Sequence, residues 1–99
     1  MTMTTIAQRI TGGVDTHVDV HVAAASTKEG ARIGVDPFAT TTVGYRRLQN
    51  WLESFGTLKL VVVEGTGSHG AGLTRHLWAH QVAVVEVTSP QQSVLPRAL

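Results

Sequence analysis

The aliphatic run and glycine-rich loop at residues 60–70 constrain the fold of this chain most strongly. The run has no polar interruption, which is typical of a short strand buried on both faces. It ends on the carboxylate Glu64, and three glycines follow within six residues. A desolvated carboxylate is costly unless a cation pairs with it, and glycines leave room for another group to approach. The stretch is therefore either a functional site or an ordinary strand-to-helix turn, with Glu64 in solvent near the first turn of the next helix.

Composition narrows the class of protein. The 99 residues suffice for one small domain with a modest core. The chain has no cysteine, so a metal ion must be bound by carboxylates, imidazoles or backbone oxygens. The net charge of +1 and the scattered basic residues give no electrostatic footprint for an autonomous nucleic-acid binder. The composition therefore does not indicate that this chain alone holds DNA tightly.

The sequence also lacks membrane and export signals. No apolar run approaches the length that spans a bilayer, and the first ten residues lack the charged-then-apolar order of a signal peptide. These features predict a soluble, cytoplasmic protein with no membrane partner.

Residues 14–22 alternate between β-branched or apolar and polar side chains. In one interpretation they form a single strand with four potential metal ligands on one face: Asp15, His17, Asp19 and His21. In the other, a first strand ends near Asp15, the chain turns through residues 16–19, and a second strand starts at about Val20. We favour the second interpretation, because the glycine pair at residues 12–13 and the polar residues 27–30 then bracket two strands of ordinary length.

The remaining sequence predicts a third strand and then two helix–strand units. Residues 31–38 supply the returning strand, and Pro37 places its end at a sheet edge because proline lacks the donor of a ladder hydrogen bond. Threonines before residues 43–55, apolar side chains at spacings of three and four, and a glycine just after them predict a helix. The further predicted elements are a strand at residues 58–63, a helix at about residues 71–80 and a strand at residues 82–87.

Two histidines in the second predicted helix, His76 and His80, are one turn apart, a spacing that zinc sites use. His69 lies just upstream in the loop. No acid or cysteine in that stretch completes such a site, so we predict structural or solvated roles for them.

The predicted order of elements indicates an α/β domain with one mixed sheet. Three successive strands with short links form an antiparallel meander, and strands that follow helices are added in parallel. This succession suggests a ribonuclease H-like fold with strand order 3-2-1-4-5 and two helices. Asp15 and Glu64, at the ends of the neighbouring first and fourth strands, then lie close together at one rim. Two adjacent carboxylates repel unless a divalent cation lies between them, and Mg²⁺ prefers such hard oxygen ligands.

Four segments of the sequence also resemble a known family in order and without gaps. They are residues 13–17 (GVDTH), 19–25 (DVHVAAA), 42–48 (TVGYRRL) and, above all, 63–73 (VEGTGSHGAGL). Together they resemble the N-terminal domain of the insertion-sequence one-ten transposases, over residues 12–87.

The resemblance implies a RuvC-like domain with a DEDD set of acids that binds Mg²⁺ or Mn²⁺ for DNA strand cleavage and transfer. By motif, Asp15 corresponds to the first acid and Glu64 to the second, and both are candidate catalytic and metal-binding residues. The candidate loop residues that flank the site are Thr16, Gly65, Thr66, Gly67 and Ser68. Partners implied by the family are DNA and a guide RNA encoded by its element, although no residue here identifies the contacts with nucleic acid.

The sequence departs from the family pattern after residue 88. The family has two further aspartates on a later helix and a C-terminal domain with a nucleophilic serine, whereas no aspartate follows Asp36 here. We therefore expect a flexible leader at residues 1–11, a partial RuvC-like domain at 12–88 that lacks the last helix of the fold, and an irregular tail at 89–99. With two of four acids, we expect a truncated fragment that binds metal weakly or not at all and is inactive alone.

Two other functions stay open at this point. The first is a non-catalytic assembly module, either self-associating into a homo-oligomer or binding nucleic acid, in which a second copy covers an exposed sheet face. The second uses the Asp15 strand and the glycine loop to hold a nucleotide phosphate, as actin-like ATPases do with a related fold. The nucleotide hypothesis is the weaker one, because the chain has no second lobe to close over a nucleotide.

Overall fold

The computed structural model describes residues 8–65 and 69–87. The described chain contains five strands and two helices in the predicted order. They are β1 (Arg9–Thr16), β2 (Val20–Thr27), β3 (Arg32–Ala39), α1 (Thr42–Glu53), β4 (Thr57–Glu64), α2 (Ala71–Ala79) and β5 (Ala83–Val87). The break between β1 and β2 confirms the interpretation with a turn, in which the alternating residues belong to two strands.

The strands form one mixed sheet with the order β3-β2-β1-β4-β5. β1 pairs with β2 and β2 with β3 in antiparallel fashion, whereas β4 is parallel to both β1 and β5. This arrangement confirms the predicted α/β, ribonuclease H-like fold and its strand order. β3 forms an edge of the sheet, as predicted, but it continues two residues past Pro37.

The first strand starts earlier than the sequence analysis placed it. β1 begins at Arg9, and Ile10 is fully buried and pairs with both β2 and β4. Residues 9–11 therefore belong to the sheet and not to a flexible leader. The glycine pair at residues 12–13 is typical of a turn, but it lies inside β1. Glycine is needed at position 12 because a Cβ there would come within 2.8 Å of Leu52 Cδ1. Residues 1–7 and the predicted tail at 89–99 lie outside the described residues.

Both helices pack on one face of the sheet, which we call the covered face. α1 starts at the N-cap Thr41, whose Oγ1 accepts a hydrogen bond of 3.0 Å from the Gly44 backbone N–H. The core contains buried side chains from the two helices and from every strand except β3 and β5, together with the residue that precedes β5. Its members are Ile10, Val14, Ala23, Ala25, Leu48, Leu52, Val61, Val63, Leu73, Leu77 and Val82.

The opposite face, which we call the open face, carries no helix within residues 8–65 and 69–87. Val35 and Val85 are 51% and 47% exposed there, and Val62 is half-buried. The prediction that β4 is buried on both faces is thus correct only for the covered face, where Val61 and Val63 lie. Neither of the two described helices has the length and apolar character needed to cross a membrane.

Candidate metal centre at the ends of β1 and β4

Asp15 and Glu64 are direct neighbours across two parallel strands. They form the last register pair of β1 and β4, so both side chains leave the sheet on the same face. They line a groove of about 350 Å³ on the open face, together with Gly13 and Val62. The structure thus brings the two candidate acids together at one rim, which is what the predicted strand order requires.

Asp15 is accessible to solvent and has a histidine beside it. Its side chain is 61% exposed, and its Oδ2 lies 3.4 Å from Nε2 of His17, which is 54% exposed. The contact forms because β1 ends at Thr16 and the link to β2 is tight, with the His17 N–H donating to the Val20 carbonyl at 3.1 Å. The sequence analysis placed His17 in the family motif but not in the site. Its proximity to Asp15 could have been predicted from the spacing of two residues, because alternate side chains of an extended chain lie on the same side.

Thr16, the last residue of β1 and the neighbour of Asp15, lies on the covered face. It is 7% exposed, and its Oγ1 donates a hydrogen bond of 3.1 Å to the Glu64 carbonyl. Gly65, the next residue, donates its N–H to the Val87 carbonyl at 3.2 Å. The carboxyl ends of β1, β4 and β5 are therefore tied together just where Asp15 and Glu64 emerge.

The glycines at both ends of the loop accommodate the protein's own side chains. A Cβ on Gly65 would collide with Thr16 Oγ1, and a Cβ on Gly70 would come within 2.7 Å of Val63 Cγ1. The sequence predicts that these glycines leave space for an approaching group. At Gly65 and Gly70 that space is filled by Thr16 and Val63, while residues 66–68, the candidates Thr66, Gly67 and Ser68, lie outside the described residues.

No third ligand joins the acidic pair among the described residues. Nowhere in residues 8–65 and 69–87 do three His, Asp or Glu side chains lie close enough to bind one metal ion. Glu86, the acid nearest in the neighbouring strand, is on the covered face, where its Oε2 accepts a hydrogen bond of 2.9 Å from Thr74 Oγ1. The described site thus consists of two carboxylates with His17 beside one of them.

His76 in α2 and His80, the C-cap of that helix, already have hydrogen-bond partners. Nε2 of His76 lies 3.0 Å from Gln49 Oε1, and Nδ1 of His80 lies 2.7 Å from the His76 carbonyl. Their rings are 4.3 Å apart. These contacts agree with the structural role expected for both residues, and burial lowers the pKa of His76.

His21 on β2, one of the four potential metal ligands in the single-strand interpretation, lies instead in the core. His21 is fully buried on the covered face and stacks on the Tyr45 ring, with 6.0 Å between the ring centroids. Neither ring nitrogen has a hydrogen-bond partner among the described residues. Burial therefore lowers the pKa of His21, because a charged imidazole would be desolvated there.

The comparison with protein families decides the identity of the domain. Residues 12–97 match the sequence model of the DEDD insertion-sequence one-ten family, described as "Transposase". The chain belongs to this transposase family. The match begins where the sequence analysis placed the domain and extends ten residues beyond the similarity recognised there. No curated protein matches the sequence.

Solved structures support the fold of this transposase domain. Pelota from Archaeoglobus fulgidus has a TM-score of 0.54 at 19% identity, with 85% of this chain and 27% of that chain covered. The PPX-GPPA enzyme of Aquifex aeolicus has a TM-score of 0.51 at 12% identity, with 85% and 37% covered. The ethanolamine utilization protein EutJ from Carboxydothermus hydrogenoformans has a TM-score of 0.50 at 13% identity, with 88% and 38% covered.

The domain spans less than two fifths of the length of each of these three chains. At such low identity, the likeness concerns the fold of the sheet and its helices.

Proposed function

We propose that this chain provides the first two acids of a divalent-cation site that serves DNA strand cleavage and transfer. Asp15 and Glu64 are the residues that hold the cation. The observation that carries the proposal is their pairing in register at the ends of two adjacent parallel strands, on a face accessible to solvent. Membership of the transposase family supplies the reaction class.

The donor set fits a hard cation. Two carboxylates emerge side by side, and Asp15 is exposed enough to meet a hydrated ion. Mg²⁺ is commonly held by one or two carboxylates, and its other positions are filled by water or phosphate oxygens. Mn²⁺ accepts the same ligands and tolerates a neighbouring imidazole such as His17. When bound, such a cation polarises a phosphodiester and favours formation of the attacking nucleophile.

The chain's own residues orient this site and limit it. β1 and β4 hold the two carboxylates in a fixed register, and the Thr16 hydroxyl ties their ends together. The groove beside the acids has an apolar lining that includes Val22, Ala24, Val35 and Val62, and Arg32 is the one basic residue in the lining that the described part of the chain supplies. DNA, and a guide RNA in the complete family architecture, are the proposed partners, and their binding requires basic surface beyond this groove.

The 99-residue chain by itself is proposed to be inactive as a nuclease. The family site uses four acids, whereas the described residues assemble two, and no aspartate follows Asp36 in the sequence. Two carboxylates are too few to hold two hydrated cations firmly for an in-line displacement.

A nuclease assay tests this proposal directly. The purified chain, incubated with Mg²⁺ or Mn²⁺ on duplex and branched DNA, should leave both substrates intact. Cleavage that is lost in Asp15→Ala but kept in the matched turn variant Asp19→Ala would show an active site in the chain alone and would refute its inactivity.

The open face favours a second candidate, a self-associating assembly module. Its apolar side chains include Val35 and Val85, each about half exposed, and a second copy would bury them. Sedimentation of the wild type over a hundredfold range of concentration tests it. A monomer at all concentrations would exclude this candidate, whereas a dimer that Val85→Lys dissociates would support it.

A further inference from the structure

Thr16 lies at the point where the β1–β4 ladder ends and the glycine loop begins. β1 turns away after this residue, because the His17 N–H donates to Val20 within the link to β2. The Thr16 hydroxyl nevertheless donates to the Glu64 carbonyl at 3.1 Å. It therefore adds one connection between the strands beyond the last register pair, Asp15 and Glu64.

The same side chain contacts both described ends of the loop. Its Oγ1 occupies the position next to Gly65, and its Cγ2 would lie 3.3 Å from a Cβ on Gly70. Neither glycine has a positive φ. Both glycines are thus required by the close approach of Thr16 or Val63 rather than by backbone conformation, so the side chain at position 16 limits what residues 65 and 70 can be.

We infer that Thr16 is a positioning residue for the cation site. It follows Asp15 directly and hydrogen-bonds the backbone of Glu64, so one buried side chain fixes the spacing of both ligands. Removal of a group that orients a metal ligand through a hydrogen bond commonly weakens metal binding. This inference rests on the proposed function, in which the acidic pair binds a divalent cation.

The inference predicts that the hydroxyl, and not the bulk of the side chain, controls metal affinity. Calorimetric titration of the full chain with Mn²⁺ compares the wild type with Thr16→Val, which keeps the branched shape, and Thr16→Ser, which keeps the hydroxyl. We expect Thr16→Val to weaken Mn²⁺ binding about tenfold or more, while Thr16→Ser binds nearly as the wild type does. Far-UV circular dichroism establishes that each variant is folded.

The possible outcomes separate this inference from the proposed function. A folded wild type that binds no Mn²⁺ overturns both of them. Wild-type binding with equal affinity in Thr16→Val overturns only the positioning role. Equal weakening in Thr16→Val and Thr16→Ser also overturns it, because the loss then follows from packing and not from the hydroxyl.

Gly65→Ala gives a second test that applies even if Thr16→Val does not fold. The new methyl group would push against Thr16 Oγ1, so we expect weaker Mn²⁺ binding and a lower melting temperature. In the Thr16→Ala background the same substitution meets no hydroxyl, and the melting temperature should fall by about 4 °C less. Equal decreases in the two backgrounds would show that Thr16 does not hold the backbone at Gly65, directly after the ligand Glu64, and would overturn the inference.

Discussion

The covered and open faces of the sheet differ in what they bury and in what they expose. Neighbouring residues of one strand alternate between them: Val14 is 2% exposed on the covered face, while the side chain of Asp15 is 61% exposed on the open face. The covered face contains the core and the buried imidazole of His21. The open face carries both candidate ligands. Residues that stabilise the core and residues that could bind a cation are thus immediate neighbours in the strand, with side chains on opposite faces of the sheet.

The largest contrast is expected from a charge placed on either face of β5. Val84 packs against the core, while Val85 is 47% exposed. Val84→Lys should destabilise the domain by about 3 kcal/mol, because it puts a charged group where a partly buried apolar side chain packs against the core. Val85→Lys should change the free energy of unfolding by less than about 0.5 kcal/mol. Urea denaturation measures both, and similar losses would contradict the assignment of the faces.

A matched pair on β4 gives a smaller contrast of the same kind. Val61 is fully buried, and Val62, the next residue, is half-buried. We expect Val61→Ala to cost about 2 kcal/mol and Val62→Ala less than about 1 kcal/mol, because only the first creates a cavity in the core. If Val62→Ala cost as much as Val61→Ala in urea denaturation, the open face would be packed in solution.

Acid should destabilise the covered face through His21. Its folded-state pKa is lowered by burial, so the unfolded chain binds a proton more readily than the folded one. The free energy of unfolding therefore decreases as the pH decreases. The loss begins as pH drops through about 6.5, the ordinary histidine value, and His76 contributes in the same direction. Thermal melts between pH 7.5 and 5 measure the slope.

The matched variants for this pH effect are His21→Phe and His17→Gln. Phenylalanine keeps an aromatic ring against Tyr45 and removes the titrating group, so the melting temperature should depend less steeply on pH. His17 is half exposed on the link after β1, and its replacement should leave most of the dependence in place, because burial is the main cause of the lowered His21 pKa. An unchanged slope in His21→Phe would mean that the buried imidazole does not cause the acid sensitivity.

The order of elements and the strand order were predictable because they follow from local patterns. Periodic leucines and Gly56 indicated α1, and the aliphatic run at residues 60–63 indicated β4. The start of β1 was not predictable in the same way, because Gly12 resembles a turn residue until Leu52 is seen packed against it. Long-range contact, and not local propensity, determines that position.

The two faces illustrate a second limit of sequence analysis. Alternation showed which residues share a side of a strand but not which side receives the helices. His21, grouped with the polar residues, therefore lies buried under Tyr45, while Val22 lines the open groove. The pairing of Asp15 with Glu64 was predictable from the strand order, whereas the packing of Gly65 against Thr16 is a long-range contact that no local pattern reveals.

The central claim, that Asp15 and Glu64 together hold a divalent cation, is tested most directly by thermal melting with and without Mg²⁺. At ten times the dissociation constant, binding to the folded state adds about 1.4 kcal/mol, which raises the melting temperature by several degrees in a domain of this size. We expect this rise in the wild type and in Asp19→Asn, and its loss in Asp15→Asn and in Glu64→Gln. A rise that persists in both site variants, or no rise in the wild type at any Mg²⁺ concentration, would contradict it.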